Sequence, residues 1–242
     1  FPALAVAVLA ACQVMGLEPV MTLSLGASEF GATIPGFNAA QMILELNRRG
    51  MVDASPAAVS LGGEKDAGVS EFPGHETKEA LNREAVATGL PILDPEAGEE
   101  GRMAIFFAGA APKVFVNIGG GEVALGSTSA SLRLPKGMIL PGALGYASLG
   151  EGRGERRGLV LRFLDRGIPV VHLLDIKGLA LKAGLPVDPV PLPEPGGSAI
   201  YMEGSKPKLP AFLGLASALA VLGAPIWKRK SGGRRPKAGG VS

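Results

Sequence analysis

Residues 165–174 read DRGIPVVHLL, and this stretch decides the fold. A helical run reaches a glycine, then an apolar residue, a proline and an apolar strand. Glycine suits the left-handed position just past a helix, and proline at a strand entry costs no ladder bond. The pattern recurs as ATGLPIL at 87–93 and, with Glu18 inserted, as VMGLEPVMTLSL at 14–25. Three helix-to-strand joints of one kind predict alternating α and β elements and a largely parallel sheet. The apolar runs 20–25, 57–61, 113–118 and 169–174 read as strands covered on both faces. Helices are expected at 3–15, 38–49, 76–88, 156–166 and 176–183, the first of them buried. Segment 94–103 (DPEAGEEGRM) reads as a polar loop, and 126–157 as a β-hairpin excursion or a flap. The fold class is therefore α/β, a Rossmann-like, mostly parallel sheet with helices on both faces.

Outward from this domain, residues 1–185, the organisation changes. Prolines 186, 189, 191, 193, 195 and 207 make residues 186–208 a stiff, extended neck. Residues 209–227, LPAFLGLASALAVLGAPIW, then run without one charge. As a helix this span nearly matches the roughly 30 Å hydrocarbon core of a bilayer. Trp227 falls at the interface, and the basic tail 228–242 marks the cytoplasmic side. A C-terminal transmembrane helix is expected, with the bulk of the chain extracytoplasmic and membrane lipid as a partner.

The net charge of +2 is unevenly spread. The tail holds six cations and no acid, so the preceding residues are net acidic. The basic balance is thus an orientation signal beside a membrane and predicts no nucleic acid partner. One cysteine, Cys12, excludes an internal disulfide framework, and with two histidines it excludes a Cys/His zinc site. No metal and no cofactor is expected. The chain starts at Phe1 without a basic leader and reads as truncated at its N-terminus.

In open parallel sheets, sites form beyond the carboxyl ends of strands. Here the strands run into GASEFGAT (26–33), GGEKDAG (62–68), NIGGGEVALG (117–126) and DIKG (175–178). Neighbouring strands would bring Ser28, Glu29, Thr33, Glu64, Lys65, Asp66, Asn117 and the amides of Gly119, Gly120 and Gly121 to one crevice. Gly119-x-Gly121-x-x-Ala124 matches a dinucleotide fingerprint formally, but no acid follows about 20 residues on, and tight turns account for the glycines. GASEFG resembles a nucleophile elbow without its second glycine. His172, among apolar neighbours, reads either as a buried hydrogen-bonded histidine or as a base.

The runs FPALAVAVLAA (1–11), MTLSLGASEFGAT (21–33), SLGGEKDAG (60–68), VFVNIGGG (114–121) and GIPVVHLLDIKGLALKAGLPVDP (167–189) resemble the poly-gamma-glutamate system protein family. The resemblance covers most of residues 1–190. It implies a membrane-anchored accessory component of poly-γ-glutamate biosynthesis and export, an outer α/β domain, and membrane subunits of a poly-γ-glutamate synthase as partners. It implies no catalytic residues. Two functions stay open. In one the crevice binds polymer or a partner subunit, with Lys65, Lys177 and the 119–121 amides as donors. In the other the chain is an extracytoplasmic hydrolase or transferase acting on γ-glutamyl or cell-wall bonds, with Ser28 attacking and Glu64 or His172 as base.

Overall fold

A computed structural model describes residues 2–26, 38–68, 77–126, 134–142 and 157–185, together with 187, 191 and 194. The chain divides into two units, Phe1–Leu179 and Ala180–Ser242. The described strands all lie in the first. In order they are β1 (Thr22–Gly26), β2 (Ala58–Gly62), β3 (Phe115–Ile118), β4 (Gly137–Ile139) and β5 (Val170–Leu173). The helices are α1 (Pro2–Val14), α2 (Ala39–Arg48), α3 (Lys78–Ala87), α4 (Gly98–Phe106), α5 (Glu122–Leu125), α6 (Leu159–Asp165) and α7 (Ile176–Lys182), with a 3-10 turn at Pro95–Ala97.

The class is α/β. The joints form as their composition requires: Gly16, Gly89 and Gly167 sit at φ of 64°, 68° and 74°, where a Cβ is unfavourable. Strand pairing falls into two groups. β1 pairs with β2 in parallel, with Ser24 opposite Ser60. β3, β5 and β4 form the second sheet, parallel between β3 and β5 and antiparallel between β5 and β4. Ladder bonds therefore join the first two expected strands, while the third pairs with β5. Ile118 of β3 and Leu23 of β1 both pack against the apolar cluster of Ala5, Leu9, Ile43 and Val52. The joint at 87–93 leads, among the described residues, to a single parallel bridge, Val59 with Ile92.

Burial explains the pairing. Every residue of β2 is buried. β1 and β2 approach so closely that a Cβ on Gly62 would lie 2.2 Å from the Gly26 carbonyl oxygen. A second core gathers Phe106, Phe115 and Phe163 with the apolar face of α6. Phe115 and Phe163 stack at 4.2 Å, and Phe106 meets both edge-on at 5.7 Å.

Asn38 caps α2 by accepting from the Gln41 amide at 3.0 Å, and its Nδ2 donates to Glu84 Oε2 of α3 at 2.6 Å. Removing the cap and this bridge in Asn38→Ala should lower stability by about 1–2 kcal/mol. Urea denaturation checks this, and a change within about 0.5 kcal/mol would show that the cap contributes nothing beyond an ordinary surface position.

Two expectations need correction. The stretch 94–103 is not a loop. Asp94 accepts from the Glu96 amide at 2.9 Å, Pro95 opens a 3-10 turn, and α4 follows with Glu99 and Glu100 in its first turn. Acids are favoured there by the helix dipole, so the acidic run is a helix start. Nor is α1 a buried helix. Ala5 and Leu9 are its buried residues, and Val14 is 88% exposed. Cys12 is half-buried.

No helix among the described residues is long and apolar enough to cross a membrane. The expected span 209–227, the tail 228–242 and most of the neck lie outside the described residues.

Candidate functional site

The site starts from two serines, one on each strand of the first sheet. Ser24 and Ser60 stand opposite one another, with their hydroxyl oxygens 3.1 Å apart. Beyond β2 the chain turns through Gly62 and Gly63 and returns Asp66 against the strand end. Asp66 Oδ1 accepts from Ser60 Oγ at 2.7 Å and from the Gly62 amide at 3.1 Å. Arg102, from α4, forms an ion pair with Asp66 through Nη1. Its Nη2 donates to Ser60 Oγ at 2.6 Å and to Ser24 Oγ at 3.3 Å.

The protons are accounted for. Ser60 gives its hydroxyl proton to Asp66, so Ser24 donates to Ser60. Ser60 therefore accepts from both Ser24 and Arg102. Asp66 is 2% exposed and Arg102 4%. Taking both charges from water is expensive, and the pair holds because geometry and extra hydrogen bonds compensate.

This buried network fixes an exposed loop. Lys65 and Asp66 both have left-handed backbones, at φ of 49° and 64°. Two successive non-glycine residues in that region store strain that the surrounding contacts must offset. The Lys65 amide donates to Glu122 Oε2 at 2.8 Å, tying the loop after β2 to the start of α5 after β3. The loops after β2 and β3 thus meet although their strands share no ladder. The Lys65 side chain itself is exposed.

Of the expected site residues, Lys65 and Asp66 belong to this constellation, Lys65 outward and Asp66 inward. Glu64 is half-buried beside them, and its side chain forms no hydrogen bond or ion pair among the described residues. Ser28, Glu29 and Thr33 lie outside the described residues. Asn117 turns to a second cluster on β3 and β5. Its Nδ2 donates to the Gly119 carbonyl at 2.8 Å and to His172 Nδ1 at 3.0 Å. The Gly119 amide is used by the Leu173 carbonyl at 3.3 Å, whereas Gly120 and Gly121 are exposed.

His172 is fully buried. Burial, and then the nearby Lys136 charge, push its pKa down to about 4. With Nδ1 accepting from Asn117, the ring is neutral and carries its proton on Nε2. It has no lone pair to spare for abstracting a proton, so the role of base does not suit it. No hydrogen bond joins it to Glu64.

Arg102 and Glu122 are the residues that sequence reading missed. The signal for Arg102 existed: Glu99, Arg102, Met103 and Phe106 follow i, i+3, i+4, i+7 spacing, and all four are buried. Two of them are charged, which disguised the stripe. Among the described residues no group of three metal-ligating side chains occurs. Comparison with protein-family models, with curated proteins and with solved structures found no match to this chain.

Proposed function

We propose that this chain is a membrane-anchored accessory component of poly-γ-glutamate synthesis or export. Its outer domain, a Rossmann-like α/β arrangement, binds polymer or a membrane subunit of the synthase. The span 209–227 anchors it, with the basic tail in the cytoplasm. The observation that carries the reading is the Lys65 loop: a buried ion pair at Asp66 and a left-handed backbone fix the turn after β2 that carries the exposed Lys65. Such strain collects where a ligand must be met. An exposed ammonium on a fixed turn is a donor for a carboxylate-bearing chain. The resemblance at 60–68, 114–121 and 167–189 supplies the system.

The test is deletion of the gene in a producing cell, with assay of released polymer, followed by complementation. Deletion should reduce the polymer, and Lys65→Ala should fail to restore it at normal membrane levels. The purified Lys65→Ala chain should bind poly-γ-glutamate about tenfold more weakly, the loss of one charge-assisted contact. Unchanged polymer after deletion would refute the system. Undiminished binding by the variant would refute the site. Ser28→Ala in the same strain tests the hydrolase or transferase reading, which requires that it abolish the effect.

A further inference from the structure

One amide nitrogen serves two acceptors in the second sheet. Asn117 Nδ2, on β3, donates to His172 Nδ1 of β5 at 3.0 Å and to the Gly119 carbonyl at 2.8 Å. Both amide protons are thereby committed. The imidazole carries its own proton on Nε2, so a second proton has to enter at Nδ1, the nitrogen that faces Asn117.

This makes the two hydrogen bonds interdependent. With a proton on Nδ1, the ring and the Asn117 NH2 group are donors facing one another. The amide has to turn so that Oδ1 accepts from Nδ1. Oδ1 then stands against the Gly119 carbonyl, oxygen to oxygen, and that carbonyl loses its donor. Gly119 is at φ of 97°, and Gly120 and Gly121 follow it, so the backbone can change here without side-chain strain. The segment leads directly into Glu122, whose carboxylate accepts from the Lys65 amide at 2.8 Å.

The surroundings set when the proton arrives. Burial, and then the charge of Lys136 just before β4, hold the ring pKa at about 4. Asn117 and Gly137, its neighbours across the sheet on β3 and β4, are uncharged. After β5, Asp175 accepts from the Gly178 amide and Lys177 is exposed. On α6, which packs on β3 and β5, Arg162 and Asp165 are paired at the surface with Glu100 and Arg157. The ring is neutral at pH 7 and gains its charge only in acid.

We propose that His172 and Asn117 form an acid-sensitive latch: a proton on Nδ1 turns the Asn117 amide, frees the Gly119 carbonyl and loosens the 119–122 segment that braces the Lys65 loop. As a control on that loop, the latch rests on the role assigned to Lys65. Failure of that role appears in polymer binding, whereas the latch is read from amide signals without polymer.

The experiment follows the 1H–15N signals of the full chain, with the ring 15N signals of His172, from pH 7 down to about pH 4. The ring Nδ1, the Asn117 side-chain amide and the backbone amides of Gly119, Gly120 and Lys65 should shift with one shared midpoint. The amide of Leu161, buried in α6, should stay in place and show that the fold is kept. In His172→Gln, whose amide oxygen can still accept from Asn117, the shifts of Asn117, Gly119 and Lys65 should be absent. In Glu122→Gln the ring, Asn117 and Gly119 should still move together, which separates the latch from titration of Glu122 itself. Asn117, Gly119 or Lys65 signals that stay fixed while the ring titrates would overturn the proposal. So would shifts that persist undiminished in His172→Gln, or a shared midpoint that is lost in Glu122→Gln.

Discussion

Arg102→Met should lower the unfolding free energy by about 3–5 kcal/mol, the cost of breaking a buried pair and leaving its partner charged. The methionine has nearly the right length and apolar stem, so the loss is electrostatic rather than a packing void. Asp66, 2% exposed, would keep the Ser60 hydroxyl and the Gly62 amide but lose its only ion-pair partner among the described residues. Ser24 and Ser60 would each lose a donor as well. For a unit of this size the melting temperature should fall by roughly 10 °C. A double variant, Arg102→Met with Asp66→Asn, removes both charges, and asparagine tolerates the left-handed backbone at this position. It should be more stable than Arg102→Met alone by at least about 1 kcal/mol, a coupling expected of direct contacts. Urea denaturation of the three chains decides the matter. A single-variant loss below about 1 kcal/mol would mean that Asp66 is solvated and the pair is not buried. The same series bears on function. If the pair exists to hold Lys65, Arg102→Met should lose polymer binding even where the protein remains folded.

Reading of the sequence succeeded where the physics is local. The joint at 165–174 requires a left-handed glycine and a proline outside the ladder, both visible in the residues, and β5 falls within the predicted run. α2 and α3 likewise fall within the expected runs 38–49 and 76–88. Partner choice among strands is not local. β1, β2 and β3 look alike as apolar runs, and nothing in them states that β3 pairs with β5 while β1 pairs with β2. Arg102 was hidden for a related reason. A charged residue on a buried helix face becomes intelligible only once Asp66, 36 residues earlier, is brought to it. Lys65 and Asp66 were visible as loop residues of the right chemistry. Their division of labour, one anchoring and one presented, follows from the third dimension. His172 was legible as a buried, hydrogen-bonded histidine, but its partner became evident only from the register that sets it beside Asn117.

That buried imidazole leads to the second large effect, on stability against pH. In the folded chain the His172 pKa is about 4, below the ordinary 6.5 it regains on unfolding. The unfolded state therefore takes up the proton first as pH falls. The contribution is complete above pH 6.5 and is lost on descending through the window to pH 4. About 2 kcal/mol should be gone by pH 5, and about 3 kcal/mol in all. Glu45 does not confuse the reading. Hydrogen bonds from Arg48 and Arg49 hold its pKa at about 2, so its own loss begins only below its ordinary 4.5. His172→Gln removes the titrating ring, and the glutamine amide oxygen still offers Asn117 an acceptor. Denaturant titrations at pH 7 and pH 5 should give nearly equal stabilities for this variant, against the 2 kcal/mol difference in the parent. A parent chain equally stable at both values would show that the ring is already exposed to solvent. A variant that keeps the full difference would assign the slope to another group.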